Sequence, residues 1–74
     1  NLSIGQPHFP VPESIRNAAK AAIDANQNGY TVTQGTAELR ARLAVDVAAR
    51  FPGQNRSVLV TSGTSGGLLL ALMA

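Results

Sequence analysis

The residues best suited to chemistry lie together near the end of the 74-residue chain, in Val58-Leu59-Val60-Thr61-Ser62-Gly63-Thr64-Ser65-Gly66-Gly67-Leu68. A short β-branched run meets a cluster of hydroxyls and glycines, and an apolar run of good helix formers follows. A strand, a small polar turn and a helix start, in that order, build an anion site. The first turn of a helix leaves backbone N–H groups without partners, and its dipole favours negative charge. Small residues let a phosphate approach those donors, and Thr64 and Ser65 can add their hydroxyls.

Other readings of the same turn stay open beside the phosphate cradle. It lacks the lysine of the P-loop pattern G-x-x-x-x-G-K-[ST], and it does not fit the dinucleotide pattern G-x-G-x-x-G. Gly63-Thr64-Ser65-Gly66-Gly67 does fit G-x-S-x-G, the nucleophile elbow of a serine hydrolase, with Ser65 as nucleophile. That mechanism needs a histidine base and an acid after the serine in chain order, whereas the chain's one histidine, His8, precedes it. In a non-catalytic reading, the glycines only shape a tight bend with close helix packing. Against that, Gly66 and Gly67 in a first helical turn cost up to about 1 kcal/mol each relative to alanine, which favours a ligand or a close backbone approach.

Elements that would position this turn are legible upstream. Pro7, Pro10 and Pro12 keep residues 1–11 extended or irregular, and Gly5 can turn the chain there. A first helix is expected over Pro12–Asn28, with Pro12 at the first helical position and Glu13 at the positive dipole end. Ile15, Ala18, Ala19, Ala22 and Ile23 make its narrow apolar face, and Gly29 suits a left-handed cap. Tyr30 to Gly35 reads as a polar loop. Thr36 can cap a second helix over Ala37–Arg50, with Leu39, Leu43, Val47 and Phe51 as its buried stripe and Arg42, Asp46 and Arg50 as a surface charge ladder. A turn follows at Phe51-Pro52-Gly53-Gln54-Asn55. Val58 to Thr61 reads as a strand buried on both faces, and a third helix starts near Ser65. A lone strand leaves its backbone groups unpaired, so partners outside these residues are expected.

Composition narrows the function classes. The hydrophobic fraction of 45% is that of a globular chain, but with no Trp, one Tyr and two Phe there are few large core anchors. The absence of cysteine removes disulfides and thiolate metal sites, and no metal site is expected. It fits a reducing, cytoplasmic setting. Six basic residues are spread among four acidic ones without a cluster, which argues against nucleic acid as partner. No apolar run approaches the roughly 20 residues of a membrane span.

Several segments together resemble the N-terminal part of class I/II aminotransferases, the fold-type-I enzymes that use pyridoxal phosphate. Leu2-Ser3-Ile4-Gly5-Gln6-Pro7-His8-Phe9 is similar to that family's opening "L-x-x-G-x-P-D-F", and Val11-Pro12-Glu13-Ser14-Ile15 to its "x-P-E-x-I". Gly29-Tyr30-Thr31 followed by Gly35-Thr36-Ala37-Glu38-Leu39-Arg40 resembles "Y-T-x-x-x-G-x-x-x-L-R", and Val60-Thr61-Ser62-Gly63-Thr64-Ser65 resembles "V-T-x-G-[AST]-[SQ]".

The resemblance implies an α/β fold: a helix-helix-strand-helix piece of the large domain over residues 12–74, truncated inside a helix, behind an extended segment over residues 1–11. It implies transfer of an amino group between an amino acid and a 2-oxo acid, with a related lyase on the same scaffold as a variant. It implies pyridoxal 5'-phosphate as cofactor and a homodimeric parent. Thr64 and Ser65, with the amide of Gly63, would hold the cofactor phosphate, Tyr30 would reach the phosphate of the neighbouring subunit, and the Gly5 amide would lie near the substrate carboxylate. The chain departs from the family at His8, where an aspartate is usual, and His8 receives no role. Lys20, the one lysine, does not match the position of the family's Schiff-base lysine, so no catalytic residue is expected in these residues and the segment alone should not transaminate.

Overall fold

The computed structural model describes residues 2–74; Asn1, which begins the segment expected to be extended, lies outside the described residues. The described residues form three α-helices, α1 (Glu13–Asp24), α2 (Ala37–Arg50) and α3 (Gly63–Met73). Residues 2–12 form neither helix nor strand.

The first helix starts one residue later than expected and ends sooner. Pro12 takes the cap position, with φ −51° and ψ 142°, instead of the first helical position. Its carbonyl accepts from the amides of Ile15 and Arg16, both at 3.1 Å. At the other end Asn26, with φ 58°, supplies the left-handed residue expected from Gly29. The Asn26 amide donates to Ile23 O and the Gln27 amide to Ala22 O, each at 2.9 Å, which is the Schellman pairing. Asparagine tolerates this conformation better than most residues, so the helix closes at the first of the stop signals.

The second helix has the expected bounds. Thr36 caps it through its side chain, which accepts from the Leu39 amide at 3.4 Å. Arg42 and Asp46 pair at 3.2 Å on its exposed face; among the described residues Arg50 does not join them. The turn after α2 forms as expected, with Gly53 at φ 77° and the Gln54 amide bonded to Phe51 O at 3.2 Å. The Arg56 guanidinium lies 3.7 Å from the Phe51 ring centre.

Two expectations are corrected. The first concerns Val58 to Thr61, which forms neither helix nor strand, so the described residues have helices as their regular elements and contain no sheet. A strand exists only as part of a ladder, and among the described residues the Val60 amide, donating to Gln34 O at 3.0 Å, makes the one backbone hydrogen bond from this run to another segment. The second concerns the apolar faces, which are not buried. Leu43 and Val47 of the α2 stripe are half-buried while Leu39 and Phe51 are exposed, and of the α1 face only Ala22 is half-buried. Among the described residues no two helices pack against each other. The radius of gyration is 15.3 Å, against about 11 Å for a compact chain of this length.

Candidate phosphate-binding turn

The candidate site is the junction of the run Val58 to Thr61 with α3. The helix begins at Gly63, two residues before the expected start, and Gly63 has φ 70°, a conformation that few other residues adopt without strain. This residue swings the chain from the preceding run into the helix. Thr61 fixes the bend from one side. Its carbonyl accepts from the Gly63 amide at 3.0 Å, and its hydroxyl donates to Gly63 O at 2.8 Å.

Thr61 also accounts for one of the two glycines that follow. A Cβ on Gly67 would lie 3.3 Å from Thr61 Oγ1, a tight contact. A Cβ on Gly66 would meet Ser62 and Thr61 carbons at 3.7 and 3.8 Å, which is ordinary packing. Gly67 therefore has a packing reason within the fold, and Gly66 has none. Sequence reasoning assigned Thr61 no role, because its contacts depend on the sharp bend at Gly63.

The first turn of α3 carries the features an anion needs. Ser62 gives no side-chain cap, and no acidic residue occupies the turn. Among the described residues nothing accepts from the amides of Thr64 and Ser65, so these donors and both hydroxyls are available at the positive end of the helix. The groups present fit a phosphate in donor type and in the sign of the helix dipole.

The structure brings Gly63, Thr64 and Ser65 together at this turn, with the Gly63 amide expected for the phosphate bonded instead to Thr61 O, and leaves the other expected site residues elsewhere. Tyr30 is fully exposed and lines a groove with Gln27, Gly29, Thr31, Thr36 and Glu38. Gly5 lies in an open, exposed stretch. His8 stands edge-on to Phe9, with ring centres 5.5 Å apart, and no hydrogen bond joins it to Ser65. Among the described residues no helix is long and apolar enough to cross a membrane.

Comparison with known proteins gives one family. Residues 1–74 match the family described as aminotransferase class I and II. The chain is 46% identical over 76 residues to the valine–pyruvate aminotransferase of Mycobacterium tuberculosis, a match covering 100% of this chain and 20% of that protein. It is 36% identical over 75 residues to the aspartate aminotransferase of Sulfolobus acidocaldarius, covering 99% of this chain and 19% of the relative. A probable N-acetyl-LL-diaminopimelate aminotransferase of Bacillus subtilis is 40% identical over 68 residues, 88% of this chain and 17% of that protein. The chain thus spans about a fifth of the length of the relatives it matches. No solved structure matches it significantly.

Proposed function

Because the chain belongs to the aminotransferase class I and II family, we propose that it works as part of a pyridoxal-phosphate-dependent aminotransferase, which moves an amino group between an amino acid and a 2-oxo acid. In this reading residues 12–74 are part of the large domain and residues 1–11 an extended lead into it. The observation that carries the proposal is the coincidence of two independent features. The family match runs through the whole chain, and the turn that the sequence resemblance implies for the cofactor phosphate has free amides and hydroxyls at a helix start.

The residues divide the work of holding pyridoxal phosphate. The amides of Thr64 and Ser65 and the dipole of α3 take the phosphate's charge, and the two hydroxyls donate further hydrogen bonds. Gly63 provides the bend that leads from the preceding segment into the helix start carrying these donors. Tyr30, fully exposed here, would reach the phosphate held by a second subunit of a homodimer, and the Gly5 amide would meet the substrate carboxylate. When bound, the cofactor supplies the electron sink for amino transfer. These residues anchor and orient it; the reacting amine is not among them.

The test is ligand affinity in the full-length polypeptide that carries these residues. The Thr64→Ala, Ser65→Ala double variant is expected to bind pyridoxal phosphate at least about 100-fold more weakly, the loss of two hydrogen bonds to a charged group at about 1.5–3 kcal/mol each. Its affinity for pyridoxal, which lacks the phosphate, should not change. Unaltered pyridoxal phosphate affinity would remove the turn from the proposal.

A further inference from the structure

Resting on the phosphate-turn reading, we propose that Arg40 is a positioning residue for that turn, acting through Gly35 and Val60 without touching the ligand. Arg40 is half-buried on the first turns of α2, and its Nε donates to Gly35 O at 3.1 Å. Gly35 has φ 100°, and a Cβ there would lie 2.7 Å from Val60 Cγ2. Only glycine lets the loop backbone approach Val60 this closely. That approach brings Gln34 O to 3.0 Å from the Val60 amide, the one backbone hydrogen bond among the described residues that links the segments on either side of α2.

From Val60 the linkage runs directly into the site. The next residue, Thr61, holds Gly63 through its carbonyl and its hydroxyl. Three hydrogen-bonded steps, joined through the covalent Gln34–Gly35 and Val60–Thr61 bonds, therefore lead from the Arg40 guanidinium to the residue that aims the first turn of α3. The rest of this segment, from Ser57 to Leu59, makes no backbone hydrogen bond to another segment among the described residues. Without the Arg40 donor, the Gly35 carbonyl loses its partner, the loop is released from Val60, and the amides of Thr64 and Ser65 lose their fixed direction.

The donor's place along the side chain is what matters, and it separates this role from a general effect of charge. Glutamine carries an N–H donor at the same number of bonds from the backbone as Arg Nε, without the charge. Lysine keeps the charge but has a carbon at that place. Methionine has neither charge nor donor. In the full-length polypeptide, the affinities of each variant for pyridoxal phosphate and for pyridoxal are measured by equilibrium dialysis, and their ratio is the readout. Partial unfolding weakens both ligands by the same factor, so it leaves the ratio unchanged. Arg40→Met and Arg40→Lys are expected to lower the preference for the phosphorylated ligand by about tenfold, and Arg40→Gln to retain it. Should the methionine variant yield no folded protein, the lysine and glutamine variants decide. A preference kept in Arg40→Lys, or lost equally in Arg40→Gln, overturns the positioning role. A wild-type protein with no preference for pyridoxal phosphate over pyridoxal instead overturns the phosphate site itself.

Discussion

Gly35 and Val60 approach so closely that a single added methyl would collide: a Cβ on Gly35 would stand 2.7 Å from Val60 Cγ2. Gly35 also has φ 100°, a region that residues with a Cβ rarely enter. Gly35→Ala thus combines backbone strain with overpacking and is expected to destabilise the full-length protein by about 2–4 kcal/mol. Urea denaturation measures this; a loss below 1 kcal/mol would mean that the contact yields easily.

The two glycines of α3 should behave differently. Gly66→Ala meets only ordinary contacts, so helix propensity dominates and the ligand-free protein gains up to about 1 kcal/mol. Gly67→Ala crowds Thr61 Oγ1 at 3.3 Å, which offsets that gain. Thermal unfolding of the two variants side by side should give a higher midpoint for Gly66→Ala. The reverse order would contradict the packing at Thr61.

Asn26 is a site for stabilisation. Its φ of 58° suits glycine better than any residue with a Cβ. Asn26→Gly is expected to be neutral or to stabilise by a few tenths of a kcal/mol, and Asn26→Ala to destabilise by about 1 kcal/mol. Denaturant midpoints distinguish the two; equal effects would show that the left-handed cap is not maintained in solution.

The cap on α2 is local and can be tested locally. In a synthetic peptide of residues 34–52, Thr36→Ala should lower helix content measured by circular dichroism, since the capping bond to Leu39 N at 3.4 Å is removed. The expected loss is about 0.5–1 kcal/mol, the low end of the range for N-caps because the bond is long. Equal helicity would remove the cap.

What could be read from the sequence followed the range of the forces involved. Helix α2 was legible at both ends because Thr36 and the Leu39-Leu43-Val47 spacing act within a few residues of one another. The end of α1 was misplaced because two stop signals compete there, and Asn26 takes the left-handed position before Gly29 is reached. The run Val58 to Thr61 has the composition of a buried strand, yet a strand is a property of paired segments, and among the described residues only Val60 has a backbone hydrogen bond to another segment. For the candidate site, the place of Thr64 and Ser65 at a helix start was evident from residue types. The support beneath it was not. Gly35 and Arg40 share one short motif, but Val60 lies on the far side of α2, and no local pattern announces its contact with Gly35.

The hydrogen bond between the Val60 amide and Gln34 O has a kinetic meaning as well. The helices form from neighbouring residues, on the sub-microsecond to microsecond scale of local structure, whereas this bond must close a loop containing all of α2. The Val60 amide proton is therefore a built-in clock for tertiary order. Its hydrogen exchange should slow only when that loop is shut, while the amides inside α1 and α2 report helix formation alone.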